Sequence, residues 1–411
     1  MNTTNQATIE QEIKTAPNGR KSSAFWVMII GIIFVATNLR SPLTSVGPLV
    51  GFIRDSMHIS NTLAGMITTL PLLAFAFFSP IVPRLGRKFG MEPIVLASLI
   101  ILTLGIILRS LSGVATLYIG TAVIGLAISV CNVLLPSLIK REFPTKIGLM
   151  TGVYSISMNL LGAIASGISV PIAIHLGFGW QGALGIWGFL SFVSILTWLP
   201  QMKRRNRNAA NIHIKTDDSR VNVWTSAIAW QVSLFMGLQS MLFYVLIAWL
   251  PEILKVQGIS SDRSGWLLTI MQLALLPFTF IVPVIAGRMS SQRSLVTITS
   301  GLLLAGTLGL LYGSSSLIVL WVILFGIGGG FAFSLAMMFF SLRTKNSHQA
   351  AELSGMAQSV GYLLAAIGPT LFGYIHDATS SWTIPLLILV GASVLLLICG
   401  LGAARDRFIG K

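Results

Sequence analysis

One arginine carries most of the chemistry that this sequence offers. Arg40 lies deep inside an apolar stretch, in the run Asn38-Leu39-Arg40-Ser41-Pro42-Leu43-Thr44-Ser45-Val46-Gly47-Pro48. On the segmentation below it is the one charged side chain near the middle of a membrane span. A cation at bilayer depth costs at least ~2.5–3.5 kcal/mol, so it must face protein or a water-filled cavity. An unpaired guanidinium in a polar cavity is a binding point for an anion or a strongly polar solute, and its planar fork can hold such a group at two points. Asn159, Gln239, Gln272 and Tyr362 fall at similar depth on other spans. Thr37 and Thr44 share a helical face with Arg40, Ser155 shares one with Asn159, and Gln358 shares one with Tyr362. Substrate binding is therefore assigned to Arg40, Gln239, Tyr362, Asn159, Gln272, Thr44 and Gln358. The competing role for the amides is to tie helices together, at ~0.6 kcal/mol each. Pro42 should kink the helix and free a carbonyl that protein or water must satisfy.

What is missing narrows the chemistry further. No Asp or Glu falls near the centre of a span: Glu92 and Glu352 sit at cytoplasmic ends, and Glu252, Asp262 and Asp377 at outer ends. None of the five histidines is central. Without a nucleophile, metal cluster or acid/base pair in the spans, an enzyme is not expected, and neither is a cofactor. The buried carboxylate common in proton-coupled carriers is missing too. Gly328-Gly329-Gly330 has no following Lys-Ser/Thr and is not a phosphate loop. It reads as helix packing surface, as do Gly148, Gly152, Gly162, Gly167 and Gly326, and Phe331, Phe333, Met337 and Met338 read most simply as core. Cys131 and Cys399, far apart in apolar segments, read as free buried thiols.

The elements that must position Arg40 follow from composition. Of 411 residues, 54% are hydrophobic and only 9% charged, against about 25% charged in soluble proteins. The chain reads as an all-α membrane protein with twelve transmembrane helices, at about 25–52, 61–83, 91–110, 114–138, 147–174, 180–200, 223–251, 262–285, 294–312, 315–341, 351–376 and 381–403. Each is long enough for a ~30 Å apolar layer. With the N-terminus inside, cytoplasmic segments hold 22 of the 27 Lys and Arg residues, and outer segments hold Arg54, Arg109, Lys255 and Arg263. That bias sets the orientation in the cytoplasmic membrane, with both termini inside. The net charge of +15 is thus a topology signal and implies no nucleic-acid partner. Expected boundaries are a polar tail at 1–24 (not a signal peptide), a bundle at 25–200, a basic cytoplasmic linker at 201–222, a second bundle at 223–403 and a tail at 404–411.

The halves repeat. Ile59-Ser60, Gly65, Thr69 and Ile81-Val82-Pro83 recur as Ile259-Ser260, Gly265, Thr269 and Ile281-Val282-Pro283. Leu39-Arg40-Ser41 corresponds to Leu238-Gln239-Ser240, so Gln239 should face Arg40 across a central cavity. Two pseudo-symmetric six-helix bundles rocking about such a site are a transporter architecture. The loop Ser79-Pro-Ile-Val-Pro83-Arg84-Leu-Gly86-Arg87-Lys88 resembles the Gly-x-Leu-Ala-Asp-Arg-x-Gly-Arg-Lys signature of the major facilitator superfamily, with Ser79 for Gly and Pro83 for Asp. The missing acid removes a member of the ion-pair latch attributed to that loop. The run Asn38 to Leu49 resembles the start of the cyanate permease and 2-nitroimidazole transporter family. The resemblance implies the major facilitator fold and a secondary carrier for small anions or nitro-heterocycles, expected to act as a monomer on a small-molecule substrate. The alternative is a drug exporter of the same fold, but such antiporters carry Gly-Pro on span 5 where this chain has Gly162-Ala163. A solute sensor would need an output domain that the tails and linker are too short to supply.

Overall fold

A chain surrounded by lipid has to satisfy its backbone polar groups internally, and helices do so within one segment. The computed structural model describes residues 18–209 and 222–410, and every regular element among them is helical. Span 1 is composite: Asn18–Thr37, Ser41–Thr44 and Val50–Met57, the last entered through a 3-10 turn at Gly47–Leu49. Span 2 is Asn61–Phe78, continued by Val82–Phe89 at a 59° bend. Spans 3 to 6 are Met91–Arg109, Val114–Glu142, Ile147–Ile174, and Gly179–Gly185 with Trp187–Ala209. Spans 7 to 12 are Ala227–Val256, Ser261–Ala286, Arg293–Tyr312, Ile318–Leu342, Ser347–Thr379 and Thr383–Ala403.

Ten of these segments are long and apolar enough to cross a membrane, and the bent span 2 makes an eleventh. Span 11 falls short on apolarity because it carries Gln349, Glu352, Gln358, His376 and Asp377. It packs on spans 2, 4 and 7 and buries Gln349 and Gln358, whereas Glu352 pairs with Arg87 and Asp377 is exposed near the end of the helix. Cys131 and Cys399 are free and buried.

Helix contacts repeat between the halves. Span 1 packs on spans 5 and 6 as span 7 packs on 11 and 12; 2 on 4 as 8 on 10; 3 on 4 and 6 as 9 on 10 and 12. The bundles meet where span 2 packs on span 11 and span 5 on span 8. Spans 2 and 8 both start after an extended serine, Ser60 or Ser260. Just before each, the chain reverses through a left-handed residue, His58 in one half and Gly258 in the other. Glycine adopts that conformation without steric cost; histidine does so less readily.

Several boundaries differ from the sequence reading. The first helix already runs from Asn18, and the helix of span 6 continues to Ala209, into the expected linker. The rest of that linker, 210–221, the first 17 residues of the tail and Lys411 lie outside the described residues. Residues 404–410 are not a free tail: Ile409 is fully buried and its N–H donates to the Arg343 carbonyl at 2.9 Å. Arg343 Nε donates to the Ala403 carbonyl at 2.7 Å, a cation at the C-terminus of span 12 where the helix dipole favours one.

Contacts between the bundles cluster at the end that carries the basic loops. Arg87, after the bend of span 2, pairs with Glu352 on span 11. The superfamily-like loop therefore makes an inter-bundle ion pair without the missing acid. Lys140 Nζ donates to the Ser341 carbonyl at 2.7 Å, to Thr344 Oγ1 at 2.8 Å and to the Thr344 carbonyl. Ser359 Oγ donates to the Ala76 carbonyl at 2.6 Å. Gly148 meets Gly287 backbone to backbone, and a Cβ on Gly148 would lie 2.3 Å from the Pro283 oxygen. The basic end is sealed. Gly148→Leu should prevent this seal, because overpacking of ~1–3 kcal/mol shifts the closed population on the order of tenfold. A cysteine introduced at Ser341, in a background without Cys131 and Cys399, should be alkylated correspondingly faster; unchanged labelling would contradict the close approach.

Candidate functional site

The site begins with a failure of helix. After Thr37 the N–H groups of Asn38 and Leu39 turn back only three residues, to the carbonyls of Val35 and Ala36. The Phe34 carbonyl, released from the helical ladder, instead accepts from Thr37 Oγ1 at 2.7 Å, Asn38 Nδ2 at 2.8 Å and Ser194 Oγ of span 6 at 3.0 Å. Arg40 then stands at the N-terminal boundary of the short helix Ser41–Thr44, and Pro42 sits in its first turn, where a missing N–H costs nothing. The expected kink is thus a complete interruption. Thr44 Oγ1 donates to the Gly162 carbonyl at 2.7 Å, which docks the break on span 5. Gly162 allows that approach, since a Cβ there would lie 3.0 Å from Arg40 Cβ.

Arg40 lines three narrow, adjoining cavities between the bundles, whose atom-free space, open mouths included, is about 380, 300 and 270 Å³. Its guanidinium lies 5.3 Å from the ring centroid of Phe243 and 5.4 Å from that of Phe333, both in the other bundle. Among the described residues it has no hydrogen-bond acceptor and no acidic partner. None of the lining residues is acidic. Its donors are therefore available to a solute that brings acceptors of its own.

Six of the seven residues assigned from sequence meet around this space. Gln239, Asn159 and Tyr362 share the largest cavity with Arg40, and Thr44 and Gln272 share the third. Gln239 Nε2 rests on Ser240 Oγ at 2.7 Å, and Asn159 Nδ2 on the Ser155 carbonyl at 2.8 Å. Tyr362 meets Phe75 of the opposite bundle at 4.7 Å between ring centroids, with the rings tilted by 59°. Gln358 does not line any of the three cavities: its Nε2 donates to the Asn132 carbonyl at 2.9 Å and to Ser354 Oγ at 2.8 Å. It belongs to the inter-bundle contact, because the helical face it shares with Tyr362 turns onto span 4. Thr37 likewise bonds its own helix, since the interruption destroys the face it was expected to share with Arg40.

Other residues were missed. Phe243 and Tyr244 line the largest cavity from span 7, one turn beyond Gln239, a spacing that could have found them. Phe333 and Met337 line cavities although they read as core, and Gly329 borders the largest one with open space where its Cβ would be. Arg109 is a larger correction. Placed at the outer rim by segment counting, it is fully buried and donates Nη1 to the Pro42 carbonyl at 2.7 Å. Arg40 is therefore not the one cation inside the bundle.

Comparison with known proteins agrees with this architecture. The sequence matches the family model described as Major Facilitator Superfamily over residues 25–369 and 232–407. It is 48% identical to the uncharacterized transporter YycB of Bacillus subtilis (strain 168), covering 96% of this chain and 97% of that one. It is 42% identical to the 2-nitroimidazole transporter of Escherichia coli (strain K12), covering 93% and 96%. Among solved structures, the proton:xylose symporter XylE superposes with a TM-score of 0.75 at 12% identity, over 94% of this chain and 98% of that one. Twelve spans in two repeated bundles around a central polar cavity, together with these matches, make the chain a multi-pass membrane transporter that belongs to the major facilitator superfamily.

Proposed function

We propose that this transporter is a secondary carrier for small, planar, anionic or strongly polar organic solutes, of the nitro-heterocycle or cyanate-like class, working by alternating access around Arg40. The observation that carries the reading is the Arg40 guanidinium, which lines the cavity without a protein acceptor and lies over the rings of Phe243 and Phe333. With no acceptor from the protein, the guanidinium N–H groups can serve a carboxylate-like or nitro group that accepts two bonds. Gln239, Asn159, Tyr362, Gln272 and Thr44 supply further polar contacts around the same space. The relative named as a 2-nitroimidazole transporter supports this substrate class.

The basic end faces the cytoplasm in this reading, by the positive-inside rule, with both termini inside and the carrier acting as a monomer in the cytoplasmic membrane. With that end sealed, the cavity serves the outer side. Uptake of one anion against an inside-negative potential costs ~2.3 kcal/mol per 100 mV, so it needs a co-transported proton or an exchanged anion; export runs downhill.

Binding of 2-nitroimidazole and of small planar anions to the purified protein should raise its melting temperature. Arg40→Ala should weaken binding at least ~tenfold, the order expected when a buried charged hydrogen bond loses a partner. Arg40→Lys should lose somewhat less, because charge without the planar fork holds one point and not two, and Gln239→Ala less again. Wild-type affinity in a folded Arg40→Ala protein would refute the assignment. Because no lining residue is acidic, Glu92→Gln, Glu352→Gln and Asp377→Asn should each retain substrate-driven transport in proteoliposomes. The Arg87–Glu352 pair is partly exposed, and such pairs contribute only ~0–1 kcal/mol. Loss of proton-dependent uptake with exchange retained, in any one of these variants, would identify a coupling acid and overturn this part of the proposal.

A further inference from the structure

Arg109 is a costly residue with little to show for its place in the fold. It ends span 3, is fully buried, and among the described residues makes one side-chain hydrogen bond, from Nη1 to the Pro42 carbonyl. Its Nε and Nη2 are buried without an acceptor, and no carboxylate pairs with it. A buried charge so poorly compensated does not add stability; an apolar side chain of similar volume does as well or better. The one contact it makes is therefore the place to look for its purpose.

That contact falls on the interruption that carries Arg40. In a continuous helix the Pro42 carbonyl would accept from the N–H of Val46. Here Val46 turns instead to the Leu43 carbonyl at 3.4 Å, which leaves Pro42 without a backbone donor. A bare carbonyl at this depth has no solvent to take it up. Arg109 caps it with a cation at the C-terminal end of the short helix, where the peptide dipoles favour positive charge. The arginine itself is held from behind by Gly120 of span 4, where a Cβ would lie 2.5 Å from the Arg109 backbone nitrogen. The other half of the molecule supplies an internal control. Span 7 runs unbroken from Ala227 to Val256 past Gln239, and span 9, the counterpart of span 3, ends on Leu310-Leu311-Tyr312 with no cation. The interruption and the arginine that caps it occur together in one half; the other has neither, its buried Arg343 bonding the end of span 12 instead.

We infer that Arg109 is a positioning residue for the solute site: through the Pro42 carbonyl it fixes the broken segment of span 1, and so the direction in which Arg40 enters the cavity. The inference rests on the reading of Arg40 as the solute-binding cation, but its structural part can be tested without any ligand. Its counterpart in energetics is that Arg109 can be replaced at little expense to the fold and at high expense to the site.

The experiment compares wild type with Arg109→Met and Arg109→Lys in detergent or nanodiscs, by hydrogen exchange over 38–49, melting temperature, and affinity for 2-nitroimidazole. Arg109→Met should change the melting temperature little, because relief from burying an unpaired charge offsets the Pro42 carbonyl left bare. It should speed exchange in 38–49 about tenfold, as expected for loss of a hydrogen bond to a charged group, and weaken 2-nitroimidazole by a similar factor. Arg109→Lys, which keeps a charged donor, should restore most of the protection and part of the affinity. Exchange over 38–49 at the wild-type rate in Arg109→Met overturns the inference, whatever the ligand does. So does exchange that rises throughout the protein together with a lowered melting temperature, which would make Arg109 an ordinary stabilising residue. Failure of the carrier reading itself is seen in a different protein, Arg40→Ala with wild-type affinity, and leaves the exchange result in the Arg109 variants to be judged separately.

Discussion

Inside an apolar layer no solvent is at hand to take up a backbone carbonyl, so every departure from helix must bring its own donors. Span 1 departs from helix between Thr37 and Val50, and much of the polar construction in the first bundle answers that demand. Side chains of Thr37, Asn38 and Ser194 converge on the Phe34 carbonyl. Ser41 donates to the Thr37 carbonyl, Thr44 to that of Gly162, and Arg109 to that of Pro42. The result is a length of irregular backbone held by spans 3, 5 and 6, with the Arg40 side chain turned towards the second bundle.

Electrostatics explains why Arg40 is built this way. A guanidinium tied to a carboxylate would be cheaper to bury but would have no donors to offer. Here the partial compensation comes from the faces of Phe243 and Phe333, an attraction of ~0.5–2 kcal/mol for each ring, and not from a protein acceptor. Because both rings belong to the opposite bundle, the environment of the cation depends on how the bundles are set against one another. On the proposed function, binding at the cation is linked to the relative position of the bundles, which a carrier requires.

The seal at the basic end is made of many small contributions. Glycines at 148, 152 and 287 bring spans 5 and 8 into backbone contact, while Lys140, Gln358 and Ser359 each donate to a carbonyl across the interface. None of these is a large stabilising term by itself. A closure assembled from short hydrogen bonds and close packing can be released when the bundles rock, without exposing a large apolar surface.

The sequence by itself determined the spans, their repetition, the orienting bias of the basic loops, and the depth of Arg40, because these depend on local apolarity and on spacing along one chain. It also paired Arg40 with Gln239, because an internal repeat carries three-dimensional information in a linear form. Only the tertiary structure decided which neighbours matter. Phe333 reads as core on its own helix and becomes a wall of the cavity because the opposite bundle places a cation there. Gln358 shares a helical face with Tyr362, yet the packing of span 4 takes its amide for the bundle contact. Arg109 sits at the end of an apolar run and reads as a rim residue, since no rule of periodicity says that the neighbouring span is broken and has a carbonyl in need of a donor. Local propensity places a side chain at a depth and on a face; what it meets there is set by segments far away in the chain, and for these three residues that meeting decides the role.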